Sequence, residues 1–219
     1  NPSYVLEGGG KRNNSYTTMD GIWAKFGIEP TTGSEYFINF HYIEKTRGGP
    51  ASIMDDQNRI NLRRPAFSQF WQFPKFDNWG IDLSGQQQFG SRVTVKGKLF
   101  YHNHVDELES YRDPGYSVYL STSRYKDDMF GGSLSSDIKL AEIDTLKLAL
   151  HYRRDKHEER NDTYLPFQEA ASYTGSFGVE NELKPTKNLS IVGGLSYDWF
   201  DVTKSTQNET NNAGDLTGV

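Results

Sequence analysis

Apolar and polar side chains alternate with a period of two over much of the chain, most cleanly near its C-terminal end. Leu189, Ile191, Gly193, Leu195, Tyr197 and Trp199 share one parity; Ser190, Gly194, Ser196 and Asp198 hold the other, with Val192 the exception. A period of two marks a β-strand with two unlike faces. The preceding run alternates too, setting Tyr173, Gly175, Phe177, Val179 and Leu183 against Ser172, Thr174, Ser176, Glu180 and Glu182. Pro185-Thr186-Lys187-Asn188 between them is turn chemistry, so the two runs form a hairpin.

The same unit recurs upstream. Gly21–Glu29 places Ile22, Ala24, Phe26 and Ile28 on one face, and Pro30-Thr31-Thr32-Gly33 turns the chain. Glu35–Ile43 returns with Tyr36, Ile38, Phe40 and Tyr42 on the apolar side and Asn39 and His41 on the other. A second hairpin pairs Trp79–Phe89 with Arg92–Asn103 across Gly90-Ser91, and a third pairs Asp128–Leu140 with Thr145–Arg153. In these, Val93, Val95, Leu99, Tyr101, Leu146, Leu148, Leu150 and Tyr152 share the apolar parity, opposed by Thr94, Lys96, Lys98, His102 and Lys147. Ser3–Glu7 is expected to be the tail of a further strand. Three stretches without a sustained period, Glu44–Asn78, Val105–Asp127 and Arg154–Ala171, are expected to be long loops.

Tight turns therefore alternate with long connections through four hairpins whose strands run about 11 residues, the length that crosses a bilayer when tilted. This predicts an all-β fold, an antiparallel transmembrane β-barrel with short periplasmic turns and long extracellular loops. The alternative is a water-soluble antiparallel sheet packed on one face. The face assignment keeps Lys96, Lys98, Lys147 and Asp198 off the lipid side, where each charge would cost roughly 2–4 kcal/mol at mid-depth. Eight to nine strands with no closing partner predict a partial barrel. All 219 residues are read as one partial barrel domain, with a plug domain and further strands supplied elsewhere.

Composition sharpens this picture. Hydrophobic residues make up only 35%, and mean hydropathy is −0.74. No run approaches the ~18 apolar residues of a membrane helix. Alternating strands carry one polar residue for each lipid-facing one, so low hydropathy is compatible with a barrel. Aromatics reach 14%, which suits a protein with membrane interfaces to line. A net charge of −5 leaves no electrostatic footprint for nucleic acid, and the absence of cysteine removes disulfide and thiolate chemistry. Neither end reads as a natural terminus.

Four segments, Phe26–Ile53, Arg63–Gly85, Val95–Tyr116 and Glu182–Phe200, resemble the barrel of TonB-dependent outer-membrane receptors, the siderophore and cobalamin importers. The resemblance rests on pattern and phrasing over most of residues 1–202. It implies a 22-stranded barrel in the outer membrane of a Gram-negative bacterium and an N-terminal plug with a TonB box. The implied partners are the lipid bilayer, a ferric siderophore or cobalamin, and TonB through the plug region. Energy-dependent uptake of a metal chelate or similar scarce nutrient is the expected function. A passive outer-membrane pore or an outer-membrane enzyme barrel is the alternative.

Candidate chemistry is sparse. His102-Asn103-His104 puts two imidazoles on one strand face, and His41 and His151 share their parity. A site for a borderline metal needs three or four converging ligands, so polar wall residues are the plainer reading. Asp55-Asp56-Gln57-Asn58 lacks the spacing of a calcium loop. Glu107, Glu109, Asp113, Glu158 and Glu159 have no partner that would make a catalytic dyad, so no enzyme activity, catalytic residue, metal or cofactor is assigned. Phe67, Phe70, Trp71, Phe73 and Phe76 cluster just after Arg63-Arg64. Aromatics beside guanidinium groups hold flat, anionic ligands. Arg63, Arg64, Phe70, Trp71, His102 and His104 are accordingly the candidate ligand contacts.

Overall fold

A computed structural model describes residues 13–50, 70–113, 115–210 and 216–218. Eight strands form one antiparallel sheet in sequence order: β1 (Thr17–Thr31), β2 (Ser34–Gly49), β3 (Phe70–Phe89), β4 (Val93–Tyr111), β5 (Tyr119–Ala141), β6 (Asp144–Arg160), β7 (Gln168–Thr186) and β8 (Leu189–Ser205). A separate two-stranded piece pairs β9 (Glu209–Thr210) with β10 (Leu216–Gly218). Among the described residues, β1 and β8 each pair on one side only, so the sheet is open. The expected strand at Ser3–Glu7 lies outside the described residues.

The turns predicted at Pro30–Gly33, Gly90-Ser91 and Pro185–Asn188 fall at strand junctions. Gly33, between β1 and β2, has φ 83°, and Gly90, between β3 and β4, has φ 59°. Both sit in the left-handed region that glycine enters without a Cβ penalty.

The cross-strand register sorts the side chains as the alternation predicted. In one row Phe26, Ile38, Leu83, Leu99, Gly132, Tyr152, Gly175 and Trp199 stand opposite one another across all eight strands. The next row is Ile28, Tyr36, Gly85, Gly97, Leu134, Leu150, Phe177 and Tyr197. On the opposite face Lys98 Nζ lies 3.0 Å from Asp82 Oδ1, Lys96 Nζ 3.4 Å from Asp137 Oδ2, and Lys147 Nζ 2.9 Å from Glu180 Oε1. Lys96, Lys98 and Lys147 are therefore on the polar side, as the face assignment predicted.

No conventional core supports this sheet among the described residues. Among the described residues only Phe70 and Ala171 are buried apolar side chains, while Leu195 is 86% and Phe26 70% exposed. An apolar face of this size marks a surface that meets a membrane or another protein.

The strands are longer than expected, and the connections correspondingly shorter. Val105–Asp127 and Arg154–Ala171 were expected to be loops. Instead β4 continues to Tyr111 and β5 begins at Tyr119, while β6 continues to Arg160 and β7 begins at Gln168. Likewise β2 runs to Gly49 and β3 starts at Phe70, so both ends of the expected Glu44–Asn78 loop are strand, and its residues 51–69 lie outside the described residues. Two causes hid these extensions. Register shifts between Glu44 and Arg47 and between Gln72 and Lys75 break the period. Beyond them charge occupies both faces, so no alternation remains to be read.

Candidate functional site

All five histidines fall on the polar face, four of them toward the long-connection end of the sheet. Gly80 of β3 stands between His41 of β2 and His102 of β4. Its missing side chain is what lets the two rings meet. A Cβ there would lie 2.3 Å from His102 Cδ2 and 2.5 Å from His41 Cε1. The imidazoles pack edge to face with centroids 5.3 Å apart. His41 Nε2 pairs with Asn78 Oδ1 at 2.8 Å. His102 Nε2 faces Asp82 Oδ1 at 3.4 Å, the same oxygen that Lys98 approaches.

One row further along, Asn78, His104, Asp127 and His157 stand opposite one another on β3 to β6. His104 packs against the Phe76 ring at 4.5 Å, with Nε2 3.6 Å from Asp106 Oδ2. His157 Nδ1 lies 2.6 Å from Asp127 Oδ1, and its Nε2 3.5 Å from Glu159 Oε2. The result is a surface of imidazole–carboxylate pairs with aromatic edges. Several of its polar atoms, Asp82 Oδ1, His102 Nε2, His104 Nδ1 and Asp106 Oδ1, are shielded from water yet lack a well-directed hydrogen bond. Such atoms are the ones a polar ligand would satisfy.

His102 and His104 share a face as expected, but each turns to its own carboxylate. Among the described residues no three His, Asp or Glu side chains converge to hold a metal ion. Phe70 and Trp71, expected in a loop, open strand β3. Phe70 is 6% exposed, with the Tyr116 ring 6.2 Å away, which makes it a packing residue. The Trp71 carbonyl accepts a hydrogen bond from Asn14 Nδ2 at 2.8 Å, and its side chain is half-buried. Arg63, Arg64, Phe67 and the Asp55–Asn58 cluster lie outside the described residues.

Asp113 is a residue whose role sequence reasoning missed. In the 112–118 connection its carboxylate accepts from the backbone N–H of Gly115 (2.9 Å), Ser117 (3.1 Å) and Val118 (2.7 Å), and from Ser117 Oγ (3.1 Å). These donors, the Val118 amide foremost, hold its pKa below the usual carboxylate value. The signal was present in Asp-Pro-Gly, a turn opener. The connection it shapes presents Tyr116, whose hydroxyl donates to the Gly49 carbonyl at 2.9 Å. The other carboxylates considered for acid–base work are engaged: Glu107 by Arg124, Glu109 by Tyr111, Glu158 by Lys126 and Lys156, Glu159 by His157.

No protein-family model matches the chain, and no curated protein matches it. Among solved structures the chain is similar to the copper transporter OprC, with a TM-score of 0.71 at 13% identity. The likeness covers 98% of this chain and 34% of that one, so the chain spans about a third of the transporter's length. At this identity the likeness is one of fold alone: a wall of antiparallel β-strands.

Proposed function

We propose that the chain forms part of the wall of an outer-membrane receptor of a Gram-negative bacterium, one that takes up a metal chelate or a similar scarce nutrient with energy supplied through TonB. The apolar face meets lipid, the polar face lines the lumen, the short turns are periplasmic and the long connections extracellular. One observation carries the reading. The uncovered apolar face and the histidine–carboxylate face are the two sides of a single eight-stranded wall. The fold of a named transporter supports transport over catalysis, and the resemblance of the strand–turn–strand units to siderophore and cobalamin importers supports the nutrient class. Plug and TonB box belong to this proposal as partners of the wall.

In this reading the ligand approaches from the extracellular end and meets Trp71, His104 and then His102. The test is equilibrium binding and uptake by the protein in outer membranes, with ferric catecholate, ferric hydroxamate, cobalamin and copper(II) as probes. Variants are Trp71→Ala and His102→Ala/His104→Ala. A contact of hot-spot rank predicts a loss of roughly 2 kcal/mol or more, about thirtyfold in affinity for the probe that binds. Unchanged affinity in correctly inserted variants would move the capture site away from this wall.

A further inference from the structure

The apolar face is not uniformly bulky. Gly85 of β3 and Gly97 of β4 stand opposite each other, and Gly132 of β5 lies one row nearer the long connections. They open a groove of about 620 Å³ walled by Leu83, Leu99, Phe130, Leu134, Leu150 and Tyr152. A Cβ on Gly97 would meet nothing closer than Leu134 Cδ1 at 3.8 Å. The groove is therefore open at this point, and a side chain at 97 would start into it without a clash at its Cβ.

At the extracellular end of this groove the same face turns cationic. Arg154 stands opposite Phe130 and two positions beyond Tyr152, about 7 Å along the strand, so it sits at the rim formed by two groove-wall residues. It is exposed, and it makes no ion pair or hydrogen bond among the described residues. Asp128, the acid nearest across β5, is taken by the Tyr101 hydroxyl and by Asn103 Nδ2. Lys156 follows two residues later. It belongs to a chain of ion pairs, Lys126–Glu158–Lys156–Glu169–Lys204, in which three lysines share two carboxylates. Aromatic pairs flank the rim: Trp79 with Tyr101 at 5.2 Å and Tyr152 with Tyr173 at 6.2 Å.

A guanidinium on a lipid-facing surface reaches for the head-group layer, and its fork matches phosphate oxygens. An apolar trench that ends on such a group has the chemistry of an amphiphile's two ends. We propose that this face binds one phosphate-bearing membrane lipid, an acyl chain lying in the Gly97 groove and the phosphate on Arg154 and Lys156. The proposal rests on the membrane orientation proposed above.

The experiment places the protein in phosphatidylcholine nanodiscs containing a small fraction of lipid A as the phosphate-bearing probe, and counts retained lipid by native mass spectrometry after mild delipidation. Single cysteines at Ile22→Cys and Leu146→Cys, spin-labelled in this otherwise cysteine-free chain, report lipid exposure in the same samples. Selective retention of lipid A over phosphatidylcholine is expected. It should fall roughly fivefold in Arg154→Gln and roughly thirtyfold in Arg154→Gln/Lys156→Gln. Gly97→Phe, which fills the groove and leaves both charges, should lower it as well. Lipid-exposed labels with unselective retention, or with retention unchanged in these variants, would overturn the lipid site alone. Displacement of lipid A by millimolar inorganic phosphate would overturn it in favour of a bare anion site. Water-exposed labels would overturn the membrane orientation and the lipid site together.

Discussion

Replacing Leu150 by lysine tests the face assignment at its most sensitive point. The apolar band holds five rows, from Ile81, Tyr101 and Phe130 at one rim to Phe89, Val93, Ile138 and Leu146 at the other. Eight residue steps of ~3.3 Å give roughly 26 Å along a strand, or roughly 20 Å of membrane depth at a ~40° tilt. Leu150 lies in the central row, so a lysine there should cost about 2–4 kcal/mol, whereas Leu146→Lys at the rim should cost about 0–1 kcal/mol. Ala149→Lys is the internal control. It faces the other way, opposite Ser135 and Gly178, and should stay within about 0.5 kcal/mol of the parent. Denaturant unfolding from lipid vesicles, followed by tryptophan fluorescence, measures all three. The order Leu150, Leu146, Ala149 is expected. Equal costs at 149 and 150, or the largest cost at 146, would refute the two-faced wall in lipid.

Gly80→Val puts carbon atoms where the His41 and His102 rings now sit, and overpacking of this kind costs about 1–3 kcal/mol. The histidine ring resonances of both residues should shift, while His151 stays unmoved. Asp113 makes the 112–118 connection sensitive to acid. Its folded pKa is depressed, so its contribution is present above the ordinary carboxylate value and is lost as pH falls through the folded one. Amide exchange at Gly115, Ser117 and Val118 should quicken over that window, and Asp113→Asn should quicken it at neutral pH and flatten the dependence.

The two faces of the wall were legible because an apolar and a polar face impose opposite demands on alternate residues, and Leu189–Trp199 and Thr145–Arg153 obey both. What lay beyond the apolar band was not legible. Asp-Lys-His-Glu-Glu-Arg at 155–160 has a charged or ionisable side chain at every position, a pattern that reads as a solvated loop, yet it completes β6. Water on both sides removes the period, while the ladder of backbone hydrogen bonds continues. The histidine parity at 102 and 104 could be read from spacing, but the meeting of His41 with His102 required the register of β2, β3 and β4, which only pairing fixes. Gly80 reads as an ordinary strand glycine until its two neighbours are known.

Extension of the strands past the apolar band changes what kind of surface the wall presents. A strand with water on both sides has little hydrophobic contrast to hold its register, so something else must prevent slippage. Opposite charges set across neighbouring strands supply that constraint here. On the outward side the chain Lys126–Glu158–Lys156–Glu169–Lys204 ties β5, β6, β7 and β8 together, and Arg124 joins Glu107 of β4 to β5. A one-residue slip of any of these strands would turn its charges to the other face and leave the partners unpaired. The inward side of the same segments carries His104, Asp106, Asp127 and His157. Those four groups are therefore held on registered strands, with their separations set by the ladder. Loops of the lengths expected from the sequence would have left them to find one another at an entropic cost on binding. The charges that made these stretches look like loops are what keeps them in the sheet.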